Sequence, residues 1–292
     1  MRRGRIVTGQ ARRLTAGLPK EGTLAPGNRV SRERRPHMRS GTGSSVRRAL
    51  VLLLGGLAIG VPLLATPMVA RSEPLQFTTE FRFEDCAFKT TGANPHFILT
   101  PGYRLVLEGA ERRALIRLVI TVLAETETVL LPGLGQVDAR VVEEREWVDG
   151  VLVEVSRNLF AICDKTNDVF YFGEAVDIFN PDGTVSHEGS WRAGEPDASG
   201  LAKPGMIMPG TFLLGSRYVQ EQADGIAMDR AEHVKTGLEV TTKAGTFLKC
   251  VQVVETTLLD PRAKSVKVYC PGVGLVDDDG VTLVEFSTTT LP

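Results

Sequence analysis

Between Arg113 and Glu125 apolar and polar side chains alternate: Ala114, Ile116, Leu118, Ile120, Val122 and Ala124 fall on one side, Arg113, Arg117, Thr121 and Glu125 on the other. A period of two is the mark of a strand with one dry face, because successive side chains of extended backbone point to opposite faces. The same pattern predicts strands over 77–83, 103–108, 137–148, 151–162, 169–172, 218–222, 226–234, 246–257, 264–270 and 282–286. No stretch carries a helical period. Asp-Gly pairs at Asp149-Gly150, Asp182-Gly183, Asp224-Gly225 and Asp279-Gly280 stand where hairpins would turn. A type I′ turn needs positive φ at both central residues, which Asp and Gly tolerate best. A meander of about ten or more strands has to curl into a sandwich, a barrel or an open half-barrel. The expected fold class is therefore all-β, mainly antiparallel, a curved meander sheet of half-barrel or barrel-like form. Residues 191–215, WRAGEPDASGLAKPGMIMPGTFLLG, are rich in Gly and Pro and read as a long crossing loop.

One apolar run breaks this pattern. Ala49 to Ala70 is free of charge, follows Arg47-Arg48 and precedes Arg71-Ser72-Glu73-Pro74. This order matches the basic region, apolar region and small-residue cleavage site of a signal peptide. An uncleaved membrane anchor is the alternative, and both place the remainder outside the cytoplasm, in the periplasm or the medium. Met38 would open a conventional signal peptide. The expected division is a non-structural extension over 1–37, a signal peptide over 38–70 and a single β domain over 71–292.

The formal net charge of −1 over 292 residues conceals an asymmetry: residues 1–70 hold 13 Lys/Arg and 2 Asp/Glu, leaving a net charge of −12 on residues 71–292. An acidic domain repels phosphate backbones and anionic lipid heads, which argues against nucleic acid as a partner. Contact with a membrane is expected only through the N-terminal apolar run. Cationic envelope components or divalent ions are the better electrostatic match.

All four cysteines lie in the expected exported part, as two bridges in an oxidising compartment would require. A hairpin centred on Asp260 sets Cys250 opposite Cys270, Gln252 opposite Val268 and Val254 opposite Val266. Cys86 with Cys163 then follows by elimination, a long loop whose closure would contribute about 3–4 kcal/mol. Free thiols or a metal site are the alternatives, although the close paired spacing of zinc ligands is missing.

Residue types that could carry chemistry are few. His187-Glu188 stands before Gly189-Ser190-Trp191, but adjacent residues of a strand face opposite ways. Asp229 and His233 would share a face of one strand, with Glu232 nearby, and could bind a metal if His187 joined them. Asp277-Asp278-Asp279-Gly280 and the 164–168 stretch DKTND read as turns rather than calcium loops. No Gly-x-Ser-x-Gly elbow and no Gly-rich phosphate cradle occur. No catalytic residue and no cofactor are assigned. Met206, Ile207, Met208 and Phe212, with Trp191, form an apolar, Met-bearing segment costly to expose: either a plug over the open side of the sheet or a lid on an apolar ligand.

Taken together, the motifs YFGE (171–174), HEGSW (187–191), GMIMPG (205–210), AGTF (244–247) and YCPGVGLV (269–276) resemble a family of exported, uncharacterised β-rich bacterial proteins. The resemblance spans most of 97–286 and implies context but no activity. The C-terminal hairpin with its Gly-Val-Gly-Leu-Val tail is also similar to the open half-barrels of periplasmic lipoprotein carriers. That similarity implies a sheet enclosing acyl chains. The expected function is an exported, non-enzymatic binding module for an apolar or lipid-like ligand, with a structural or interaction protein of the envelope and a metal-dependent hydrolase as alternatives.

Overall fold

The computed structural model describes residues 75–288; the predicted extension over 1–37 and signal peptide over 38–70 lie outside the described residues. Sixteen strands run β1 (Phe88–Lys89), β2 (Tyr103–Glu111), β3 (Ala114–Leu131), β4 (Gly135–Val148), β5 (Val151–Cys163), β6 (Val169–Phe179), β7 (Val185–Ser186) and β8 (Trp191–Arg192), then β9 (Lys203–Met208), β10 (Arg217–Val219), β11 (Glu221–Gln222), β12 (Asp229–Thr242), β13 (Gly245–Thr257), β14 (Lys264–Cys270), β15 (Gly274–Asp278) and β16 (Val281–Thr288). No α-helix occurs among the described residues.

Thirteen strands follow one another in the order β10, β12, β13, β14, β15, β16, β2, β3, β4, β5, β6, β9, β11. The two ends of this path belong to one continuous stretch of chain. Arg217–Val219 pair with β12, and Glu221–Gln222 pair with β9. Gln220 N donates to Asp229 O at 2.7 Å between them. The sheet is thereby a nearly closed antiparallel barrel, the all-β fold expected, with its exposed edges reduced to a short seam.

Local sequence accounts for much of this. The long alternation holds as far as Val122, with Ile116, Leu118 and Val122 buried. It fails at Ala124, which is exposed, because the β3–β4 register shifts between Val122 and Thr126. Arg140 donates to the carbonyls of Leu123 (3.3 Å) and Ala124 (2.7 Å) at this irregularity, satisfying acceptors the ladder has released. Two of the four Asp-Gly pairs take positive φ at both residues, Asp149-Gly150 (51° and 82°) and Asp279-Gly280 (52° and 88°). At Asp182-Gly183 and Asp224-Gly225 only the glycine does so. Those two close wider loops, in which the Asp182 carboxylate instead caps Thr184 N at 3.0 Å.

Two expectations are corrected. Residues 77–83 do not form a strand: they make a single bridge, Thr78 to Tyr218, and lead into a 3-10 turn at Phe83–Asp85. Their aromatic rings find side-chain partners instead of a ladder. Phe81 and Phe83 meet Phe170 edge-on at 5.6 and 5.1 Å, and Phe88 meets Phe172 at 5.2 Å. Residues 191–215 are not a single loop either. They contain β8 and β9, and β9 forms part of the barrel wall between β6 and β11. Gly205 permits this, since a Cβ there would stand 2.3 Å from Gln220 O.

Both cysteine pairs are disulfides, Cys86–Cys163 and Cys250–Cys270. The β13–β14 register is the one a turn at Asp260 dictates, Gln252 opposite Val268 and Val254 opposite Val266. Cys86–Cys163 closes 77 residues and straps the aromatic segment to the end of β5, where Phe88 pairs with Cys163. Replacing both Cys86 and Cys163 by Ser is expected to cost about 4 kcal/mol through loop-closure entropy, and to raise binding of a hydrophobic dye as Phe170 and Phe172 lose their cover. Urea denaturation checks this; an unchanged midpoint refutes it.

Candidate functional site

The barrel interior has an apolar region and a polar one. In the apolar region, Tyr103, Leu105, Ile120, Val122, Phe160, Ile207, Tyr269 and Leu275 surround a cavity of about 50 Å³. Its polar lining is His96, Glu144, Lys267 and Asp278. Burial pushes the Tyr103 phenol up to about 12, and its hydroxyl donates to Val273 O at 2.8 Å. The volume has room for about four water-sized groups, so an occupant either is small or displaces part of the wall.

One side of the cavity is formed by the segment that precedes β2. Asn94 pins it: Nδ2 donates to Asn167 O (2.9 Å), Met208 O (3.2 Å) and Pro209 O (3.2 Å). Oδ1 accepts from His96 N (2.9 Å) and Phe97 N (3.0 Å). This Asx turn sets His96, Phe97 and Ile98 against the cavity. His96 is 7% exposed and neither ring nitrogen has a hydrogen-bond partner. Burial holds its pKa below the usual imidazole value, so the ring is neutral, with one donor and one acceptor unused.

Beyond the cavity lies an acidic core. Glu146, Glu154, Glu174, Glu221, Asp229, Glu255 and Asp278 are buried, and Glu144 reaches them from the cavity wall. One buried ammonium serves them: Lys267 Nζ lies 2.8 Å from Glu255 Oε2, both side chains at most 2% exposed. Gln220 Nε2 donates to Glu255 Oε1 at 2.9 Å, and Ser265 Oγ to Asp278 Oδ1 at 3.4 Å. Tyr171 OH donates to Asn158 Oδ1, whose amide donates to Val142 O at 3.2 Å. The carboxyl oxygens of Glu174, Glu221 and Asp229 have no partner in good hydrogen-bond geometry.

So much charge cannot remain ionised out of water. Burial, reinforced by Glu146 and Glu144, pushes Glu154 up to about 8. Burial pushes Glu144 up to about 7 despite the opposing pull of Lys267. Asp229 rises to about 7 through burial and the charge of Glu255. Glu174 and Glu221 are driven well above the carboxylate range, each by burial first and then by a neighbouring acid. Lys267 moves the other way: burial disfavours its charge, but Glu255 and Asp278 outweigh this and hold it well above the usual lysine value.

The residues singled out from sequence are distributed differently. Ile207 lines the cavity, whereas Met206 and Met208, on the other face of β9, pair with Phe170 and Val169. The Met-bearing segment is barrel wall as far as Met208 and leaves the sheet after it. Phe212 stacks on His233 with ring centres 3.8 Å apart, and Trp191 meets Tyr171 edge-on at 5.3 Å. His187 is at the surface, with Nδ1 2.9 Å from Asp177 Oδ1. Asp229 and His233 share the inner face of β12, but both His233 nitrogens are engaged, Nε2 by Tyr218 OH (2.9 Å) and Nδ1 by Leu213 O (3.0 Å). Burial lowers the His233 pKa to about 4. Among the described residues no group of three or more His, Cys, Asp or Glu side chains is placed to hold a metal ion.

Sequence reasoning missed His96, Glu144 and Lys267, and read Asp278 as part of a turn, whereas it ends β15 with its side chain buried. A signal existed for one contact: the register around Asp260 sets Lys267 opposite Val253 and hence diagonal to Glu255. Nothing local marked that diagonal as buried. Comparison with protein-family models, curated proteins and solved structures gave no match for this chain.

Proposed function

We propose that the protein is an exported, non-enzymatic binding module that takes a small, largely apolar ligand inside its barrel. One observation carries the reading: a cavity with apolar walls is faced by a buried histidine whose two nitrogens lack partners. Buried polar groups are satisfied in nearly all native structures, and an unsatisfied one beside a void calls for a ligand group or water. Export is supported by the two disulfides together with the apolar run that precedes the domain. A catalytic reading has less support, since Lys267, the amine that lines the cavity, is held in an ion pair with Glu255 at 2.8 Å.

Native mass spectrometry of the chain, taken from the compartment to which a bacterial host exports it, tests this. The expected spectrum shows a mass adduct that denaturation releases, on a chain four hydrogens lighter than its reduced form. A bare mass at every stage of gentle desolvation, with the cavity inert to small apolar probes, would turn the assignment toward an interaction protein of the envelope. Leu115, Leu130, Val151 and Leu248, each more than 60% exposed on the outer surface, favour that second reading.

A further inference from the structure

The cavity does not stand apart from the acidic core: Glu144 and Asp278 belong to both. We infer that the occupant is a small primary amine with a short hydrocarbon body, its ammonium at Glu144 and Asp278 and its hydrocarbon against Tyr103, Leu105, Phe160 and Tyr269. This rests on the reading of the cavity as a ligand site and adds the chemistry of the ligand.

Charge selects the class. Glu144 is faced by Lys267 on β14, Asp278 on β15 and Glu255 on β13, by Glu146 on its own strand, by Glu154 and Glu174 on the next two strands, β5 and β6, and by the phenols of Tyr171 and Tyr269. A single lysine cannot neutralise this set, so protons do so. An ammonium entering beside Glu144 replaces a proton with a cation and relieves the same repulsion. An anionic head would find one cation in the lining, Lys267, already paired with Glu255 at 2.8 Å and surrounded by acids, and a neutral hydroxyl gains hydrogen bonds without relieving anything.

His96 supplies an independent indication. It is nine-tenths buried, lines the same cavity, and in its neutral form keeps a lone pair free to accept from an N–H. Size follows from the roughly 50 Å³ available, which fits about three to five heavy atoms and excludes an acyl chain unless the wall opens. The binding step moves one proton: the ligand enters as its ammonium, Glu144 gives its proton to solvent, and the bound pair is carboxylate with ammonium. Affinity therefore rises with pH while Glu144 is still protonated in the free protein.

Isothermal titration of the chain, as the exporting host delivers it, with n-propylamine, 1-propanol and propionate at pH 6 and pH 8 tests this. The amine is expected to bind at least tenfold tighter than the alcohol at pH 8, propionate not at all, and the amine about tenfold more weakly at pH 6. Glu144→Gln, which keeps the shape and removes the charge, is expected to abolish the pH dependence and most of the amine preference. Equal binding of amine and alcohol would overturn the amine assignment and leave the cavity reading standing. Failure of all three compounds to bind would overturn both. An amine preference that Glu144→Gln leaves intact would place the ammonium elsewhere and overturn the site. The wild-type comparison alone decides the ligand class, whatever the variant's folding.

Discussion

Raising the pH from 6 to 8 lowers the melting temperature of the folded chain, by on the order of 10 °C. Glu144 and Asp229 are pushed up to about 7 and Glu154 to about 8, and Glu174 and Glu221 stand well above the carboxylate range. In the unfolded chain these groups titrate near about 4.3 for Glu and 3.9 for Asp. Between those values and the folded ones the native state binds more protons than the unfolded state, so stability falls as pH rises. Stability from these groups is fully present below about pH 4 and is lost progressively as each folded pKa is passed. Each pKa unit on one group corresponds to about 1.4 kcal/mol, and strong coupling leaves several kcal/mol for the set. For a domain of this size 1 kcal/mol moves the midpoint by about 2–4 °C. His233 acts in the opposite sense: its pKa is lowered to about 4, so its contribution is lost as pH falls below about 6.5, which places the optimum on the mildly acidic side. Scanning calorimetry at constant ionic strength measures this directly. A midpoint that rises from pH 6 to pH 8 would mean the acidic core is ionised and compensated by something other than protons.

Replacing Lys267 by Met is expected to cost about 3–5 kcal/mol at pH 8, the penalty of removing one partner from a buried ion pair. Lys267 is the only buried lysine among the described residues and lies 2.8 Å from Glu255. Without it the Glu255 carboxylate loses the ammonium that lies 2.8 Å away, and Glu144 loses the cation that opposes the rise of its pKa. The loss is therefore smaller at pH 6, where protons are easily supplied. Lys267→Met combined with Glu255→Gln is expected to recover a large part of the stability, because a neutral amide needs no counter-charge. Urea midpoints for the wild type, both single variants and the double variant at pH 6 and 8 complete the cycle. A Lys267→Met cost independent of pH would show that the ammonium acts by packing rather than by charge.

The consequence for function lies in the same core. Among the described residues the buried acids outnumber the one buried lysine, and burial raises the pKa of Glu144, so an entering cation would exchange for a proton there. Ligand affinity and fold stability are then expected to depend on pH in opposite senses. Amine binding strengthens with rising pH while the empty barrel weakens, so the stabilisation the amine confers is greatest where the empty fold is least stable.

Period and punctuation along the chain determined the strands, two of the tight turns and the cysteine register, because each depends on neighbours close in sequence. Alternation at 114–122 marked an inner face, and a turn at Asp260 was sufficient to bring Cys250 opposite Cys270. What local reading could not reach depends on closure. Glu144, Glu154 and Glu174 lie on three successive strands, and in an open sheet the face that bears them would be the solvated one. On β5 neither face is purely apolar: Glu154, Ser156 and Asn158 point inward, while Arg157 points outward to Glu125 and Glu143. The segment at 77–83 has strand composition yet no strand: Phe81 and Phe83 pack on Phe170, and the backbone meets the barrel at the single bridge Thr78–Tyr218. Residues 203–208 of the Met-bearing stretch joined the wall because Gly205 admits Gln220 so closely, a contact decided by where β11 arrives. Only the tertiary structure, by drawing Arg217–Gln222 to both ends of the path, turned one face of the sheet into an interior and its carboxylates into a buried acidic core.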